Sequence, residues 1–209
     1  MKKILLTTAA VAVLASSSAY ATEGNFFVKA NIGWTKMSKI KGLTSKNTAF
    51  FGIGAGYHVM DNVRVDLTFD HFANPTHKGS RTINGVKVNG KVKGEINTLM
   101  LNGFVDLFDV DAAKLFVGAG VGASQVKAKA TGGATINGVN VSLTAKAKQK
   151  YNLAFAGYVG GSYEFTPGVT GDVTYSYRDM GKTKKTKELG NETFHYRGHH
   201  VGVGVRFDI

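Results

Sequence analysis

The chain contains no cysteine, so neither a disulfide nor a thiolate metal site can form in it. It has only two prolines in 209 residues, and after its first 21 residues no run is apolar for long enough to cross a bilayer as a helix. Acid is scarce as well. Against 26 Lys and Arg stand 14 Asp and Glu, a formal net charge of +12 that favours anionic partners such as acidic proteins, sulfated glycans or lipid headgroups. What the chain does have in quantity is glycine, 27 residues spread without low-complexity runs.

The first residues are punctuated differently from the rest. Lys2 and Lys3 precede an apolar run over residues 4–15, and small residues lead to Ala19-Tyr20-Ala21. This reads as a secretory signal cleaved after Ala21, with residues 1–21 removed and residues 22–209 forming one domain. Taking away Lys2 and Lys3 lowers +12 to +10. With no helical span after the signal, the remaining way to cross a bilayer is a closed barrel.

Alternation supplies the strands for one. Eight runs alternate apolar with polar or glycine residues at a period of two, sharply in the first three and with more noise in the other five: residues 25–34, 49–59, 63–70, 97–107, 115–123, 151–165, 169–177 and 199–209. In the sharpest, Val63, Val65, Leu67 and Phe69 alternate with Arg64, Asp66, Thr68 and Asp70. Each run approaches the ~9–11 residues that a tilted membrane strand needs. The connections alternate in length. Residues 60–62, 108–114 and 166–168 are short, whereas residues 36–46, 73–93, 127–150 and 180–197 are long. Short periplasmic turns and long extracellular loops are the asymmetry of an outer-membrane barrel. The expected fold is therefore all-β: an eight-stranded antiparallel transmembrane β-barrel with both termini in the periplasm and four long extracellular loops.

The pentapeptide TINGV occurs twice, at residues 82–86 and 135–139, both in long connections. Asn-Gly between β-formers marks a tight hairpin, because both central residues of a type I′ turn need positive φ. Each copy is read as a hairpin tip that continues barrel strands above the membrane.

A soluble lipid-binding barrel would share the alternation, so the two faces decide. The polar face carries Arg64, Asp66, Asp70, Asp106, Glu164, Asp172, Arg178, Arg206 and Asp208, which suits a narrow interior filled by paired charges. Arg64, Arg178 and Arg206 are expected to pair with acids such as Asp66, Asp172 and Asp208, since an unpaired buried charge is costly. Aromatics such as Phe26, Trp34, Tyr57, Tyr151, Phe165 and Tyr177 gather at strand ends, where a membrane girdle would lie. The stretches FGIGAGYHVMDNVRVDLTF, MLNGFVDLFDV, FVGAGVG and VGVGVRFDI are similar to small outer-membrane barrels of the OmpA/OmpX type, and within them to rickettsial surface adhesins. That resemblance implies location in the outer membrane of a Gram-negative bacterium, host-cell attachment and capture of the serum glycoprotein vitronectin. The last residue is Ile209 with Phe207 two before it, a variant of the terminal aromatic that such barrels commonly carry.

Charge is concentrated in the long connections, which hold 19 of the 26 basic residues. Lys127, Lys129, Lys146 and Lys148 lie in the third, and Lys182, Lys184, Lys185 and Lys187 make the densest patch in the fourth. Together they are expected to form a basic crown that binds a host-surface or serum glycoprotein, with the fourth loop as the main contact. The alternative is a structural barrel for envelope integrity, its lysines bridging lipopolysaccharide phosphates. A lipid A-modifying enzyme would need a nucleophile, a base and a carboxylate within reach, for which His195, His199, His200, Ser176, Ser80 and Asp179 are the available residues. No nucleophile motif connects them. Adjacent His199 and His200 point to opposite faces of a strand, poor geometry for a shared metal, so no metal or other cofactor is expected. No stacking platform suggests nucleic acid. The barrel is expected to be a monomer.

Overall fold

The computed structural model describes residues 24–38, 44–45, 47–73, 76–83, 86–136, 139–182 and 195–209. The signal segment, residues 1–21, lies outside them. The strands are β1 Phe26–Met37, β2 Thr44–Ser45, β3 Thr48–Met60, β4 Val63–Phe72, β5 Thr76–Ile83, β6 Val86–Val110, β7 Ala113–Ile136, β8 Val139–Thr166, β9 Val169–Lys182 and β10 His195–Asp208. Every pairing is antiparallel. β1 pairs with β3 and β10, and from these the ladder runs through β4 to β6 on one side and through β9 and β8 to β7 on the other. The additional β6–β7 pairing joins the two ends, so β1, β3, β4, β6, β7, β8, β9 and β10 form a closed ring of eight. Closure leaves no edge within the membrane, where an unpaired backbone group would be expensive.

The strand alternation sorts side chains as the sequence pattern requires. In β4, Arg64, Asp66, Thr68, Asp70 and Phe72 are buried inside, while Val65, Leu67 and Phe69 face out. The outward face of the other strands is likewise apolar, with Phe26, Trp34, Phe51, Leu101, Leu115, Phe155 and Val203 among its exposed residues. Two-residue turns join the strands at one end: Asp61-Asn62, Asp111-Ala112 and Pro167-Gly168. Asp111 adopts φ 52° and Gly168 φ 78°, a left-handed geometry that Asp tolerates and Gly accepts without strain. The middle turn is shorter than the residues 108–114 expected from sequence. Val110 pairs with Ala113 and Asp109 with Lys114, which draws those residues into the ladder.

The larger departure lies at the opposite end. Residues 73–93 and 127–150, expected to be long loops, are mostly strand. β6, β7 and β8 run on for 25, 24 and 28 residues. β4 leaves β6 after the Phe72–Ile96 pair, and β5 takes its place from the Thr76–Lys93 pair upward. The result is a blade of four strands in the order β5-β6-β7-β8 that stands on one side of the barrel mouth, with the short β2 added at the β5 edge. Ile83 pairs with Val86, and Ile136 with Val139, so each TINGV copy is a two-residue hairpin connection, whose Asn-Gly residues fall outside the described ones. The physical reason for strand instead of loop is the backbone: once β6 and β7 are in register, each further pair satisfies its own hydrogen bonds without paying a new loop-closure cost.

Candidate functional site

Three levels of the barrel differ chemically. Nearest the short turns, His58 Nε2 contacts Asp208 Oδ1 at 3.0 Å, Arg206 lies 3.8 Å from Asp172, and Arg64 bonds Asp106 through Nη1. Glu164 lies at the turn itself, where it accepts the Gly168 N–H at 3.1 Å. In the middle, Asp66 accepts from Lys29 Nζ, from Thr68 Oγ1 at 2.8 Å and from Asn102 Nδ2 at 2.7 Å. Tyr158 donates to Asn102 Oδ1 at 2.8 Å, and Arg178 Nη1 bonds Asp70 Oδ2 at 2.6 Å. The expected partnership between Asp66 and an arginine is corrected here. Arg64 bonds Asp106 on the adjacent β6, and Lys29 of β1 reaches Asp66 of β4 across the intervening β3, where Gly54 pairs with Lys29 and offers no side chain in the way.

Above this network the interior becomes apolar. Met37, Phe50, Phe72, Ile96, Val126, Met180 and Tyr196, each 4% exposed or less, pack across the mouth. His200 lies beneath them at 1% exposure, edge-on to the rings of Phe50 and Phe72 and bonded to Thr35 Oγ1. A cavity of about 60 Å³ remains among Lys29, Asp66, Asp70, Arg178 and Arg206, room for a few waters and no more. Interior glycines are part of the fill: a Cβ on Gly52 would sit 2.0 Å from Asp70 Oδ1.

The residues considered for catalysis do not converge. His195 Nε2 contacts Asp179 Oδ1 at 2.8 Å, and Asp179 also accepts the Gly181 N–H at 2.9 Å. Ser176, however, is 2% exposed inside the barrel and receives Arg178 Nε at 3.3 Å, while Ser80 is on the blade. His199 faces out, against the Tyr175 hydroxyl at 2.6 Å, and His200 faces in. Among the described residues, no group of three His, Asp or Glu side chains gathers as a metal-holding cluster.

The outside of the barrel changes character at a definite height. His71, Asn97, Gln125, Tyr151 and Gln149 form a hydrogen-bonded chain across β4, β6, β7 and β8, with contacts of 2.6–3.2 Å. Apolar residues such as Leu99 and Leu153 face out below it. Above it lysines appear among small polar residues on the outward face. Lys127 pairs with Glu95 at 3.1 Å, and Lys129 is exposed on the next row. Lys146 and Lys148 continue β8 at that level, and Lys182 is exposed at the end of β9. Lys184, Lys185 and Lys187 lie outside the described residues. The second and third basic segments stand together in the blade, while most of the first and fourth, residues 39–43 and 183–194, lies outside the described residues. Sequence reading passed over Lys29 and Asn102 as partners of Asp66, and Tyr158 as the donor behind Asn102; their inward parity on three separate strands was the signal available.

A closed eight-stranded ring, an apolar outer belt and a packed polar interior define a small outer-membrane barrel. The match to known proteins agrees: residues 5–207 fit the family model for the outer membrane protein beta-barrel domain, and the chain belongs to that family. A Rickettsia conorii protein provisionally named an adhesin is 37% identical over 93% of this chain and 86% of its own length. A Rickettsia bellii protein named in the same way is 35% identical over the full length of both. Among solved structures, neisserial surface protein A is similar with a TM-score of 0.58 at 19% identity, covering 88% of this chain and 99% of that one, a likeness of fold. The protein resides in the outer membrane of a Gram-negative bacterium.

Proposed function

We propose that this barrel is a surface adhesin that holds a host-cell or serum glycoprotein through its basic extracellular segments. The observation that carries the reading is the contrast between a closed interior and a cationic blade. Residues 76–96 and 125–150 contain ten Lys and Arg but one acid, Glu95. A field of that sign speeds encounter with acidic or sulfated ligands and weakens with salt. The naming of the rickettsial relatives supports the same reading. Vitronectin is the glycoprotein to which the family resemblance points, and the barrel acts as a monomer. The packed interior would equally serve a ligand-free envelope barrel, the reading to which a negative binding result returns.

The test is attachment of bacteria that display the protein at equal surface density, to host cells and to immobilised vitronectin, at low and physiological salt. Native protein is expected to bind, more strongly at low salt. Changing Lys182, Lys184, Lys185 and Lys187 to Ser is expected to weaken binding if the fourth loop makes the main contact. Absence of attachment by the native protein at both salt concentrations rejects the adhesin reading.

A further inference from the structure

Building on the adhesin reading, we propose that the outward face of the blade is a docking lattice for a linear sulfated polysaccharide, engaged first by the row Lys93, Lys129 and Lys146. Strand register puts these three lysines side by side: Lys93 pairs with Lys129, and Lys129 with Lys146. The next row outward is Lys78, Lys91, Thr131 and Thr144, again directly paired across four strands. Beyond it come Ser80, Asn89, Gly133 and Ser142. An open hollow of about 720 Å³ lies over the last two rows, lined by Lys78, Ser80, Asn89, Lys91, Thr131 and Gly133.

The arrangement works against the sheet that carries it. Like charges directly opposite on neighbouring strands destabilise the pairing. Lys93 and Lys129 are both exposed, and the acid on this face, Glu95, is already engaged by Lys127 one row below. An external polyanion relieves the repulsion that the sequence builds in.

Three features select the chemistry. Lysines recur at ~5 Å across the strands and ~7 Å along them, a two-dimensional repeat that suits a chain with regularly spaced anionic groups. Lysine is a point charge with rotatable donors, which accepts sulfates from varied directions, whereas rigid bidentate recognition would call for arginine. The three rows from Thr76 and Lys93 to Ser80 and Ser142 carry no aromatic or large apolar side chain, the usual anchor of a protein–protein hot spot, but do carry hydroxyls and an amide able to bond sugar hydroxyls.

Height distinguishes a host glycan from the bacterium's own lipid phosphates. Lys93 is four residues above Asn97 in the polar belt, and Lys91 six residues above it. At ~3.4 Å per residue these rows are ~14 and ~20 Å farther along the strand. Even with a strand tilt near 45°, both clear a headgroup layer of ~5–7 Å.

The test uses the full mature barrel refolded in lipid nanodiscs, with heparin and desulfated heparin as probes. Native protein is expected to bind heparin at least about tenfold more tightly than the desulfated chain. The triple variant Lys93→Ser, Lys129→Ser, Lys146→Ser is expected to lose about tenfold or more in affinity, and the slope of log Kd against log salt to fall by about two to three, as release of that many counterions requires. Lys→Arg at the same positions keeps the charge and retains binding. Removing the like-charge row also relieves strain in the ladder, so the Ser variant folds, as heat-modifiable gel migration will check. Equal heparin affinity of native and Ser variants overturns the proposal. So does loss of native binding when the discs contain the bacterium's own lipopolysaccharide, which would assign the face to lipid. Attachment of displaying cells that survives heparinase treatment of the host surface sinks the polysaccharide while leaving the adhesin. Row-dependent heparin binding without any host attachment does the reverse.

Discussion

Asp70 and Arg178 show how much the interior depends on single side chains. Their bond is nearly solvent-free, with side chains 1% and 7% exposed, and the guanidinium lies 5.4–6.0 Å from the ring centres of Phe50, Phe72 and Tyr158. Asp70→Ala leaves that cation buried without its acid, and removal of one partner from a buried pair typically costs about 3–5 kcal/mol. The expected outcome is a barrel whose urea midpoint falls steeply, and the double change Asp70→Ala, Arg178→Met recovers much of the loss because no charge is stranded. Parity along β4 was enough to place Asp70 inside from sequence alone. Its partner was not legible, because β9 lies four places away, on the opposite side of the ring, and nothing in an alternating pattern encodes the stagger that brings Arg178 to it. The same holds for Gly52, whose need to lack a side chain appears only once Asp70 Oδ1 occupies the space.

Strand length is where the elements exceeded their sequence signal. The membrane portions of β6, β7 and β8 announce themselves through Leu99, Leu101, Val117, Val121, Leu153 and Phe155, whereas KAKAKA-like runs alternate lysine with alanine and carry little apolar contrast. Composition alone therefore ends those strands at the membrane, although the pairing continues to Ile136 and Val139. The TINGV tips were the exception, since Asn-Gly reports turn chemistry independently of what flanks it. Replacing Asn137-Gly138 with Ala-Ala puts a Cβ at the glycine and removes the asparagine amide that eases left-handed backbone, in a two-residue connection of the kind that favours positive φ, at ~1–2 kcal/mol for the glycine position. The upper β7–β8 hairpin is expected to become protease-sensitive while the barrel keeps its heat-modifiable migration. Limited proteolysis of the displayed protein reads both at once.

For the molecule as a whole, the ring closes a polar interior beneath an apolar mouth. Seven buried side chains from Met37 to Tyr196 cross that mouth, and a conducting path would have to pass both them and the charge pairs below. Planar bilayers containing the purified native barrel are expected to show no resolvable unitary current, as an eight-stranded wall filled by its own side chains implies. A steady open-channel conductance would contradict the packing described and return attention to the interior as the working part.

β8 carries 28 residues without interruption, from the turn at Pro167 to the blade tip. At ~3.3 Å per residue this is a single span of ~90 Å. On the adhesin reading, a cell held by that tip under flow transmits its load down the span into the barrel wall, past one irregularity in the β7–β8 pairing between Val126 and Ala128. Tension directed along the strands loads the β7–β8 and β6–β7 ladders in shear, where many bonds resist together, instead of peeling them one by one. The blade is in this sense a mooring post cut from the same timber as the hull.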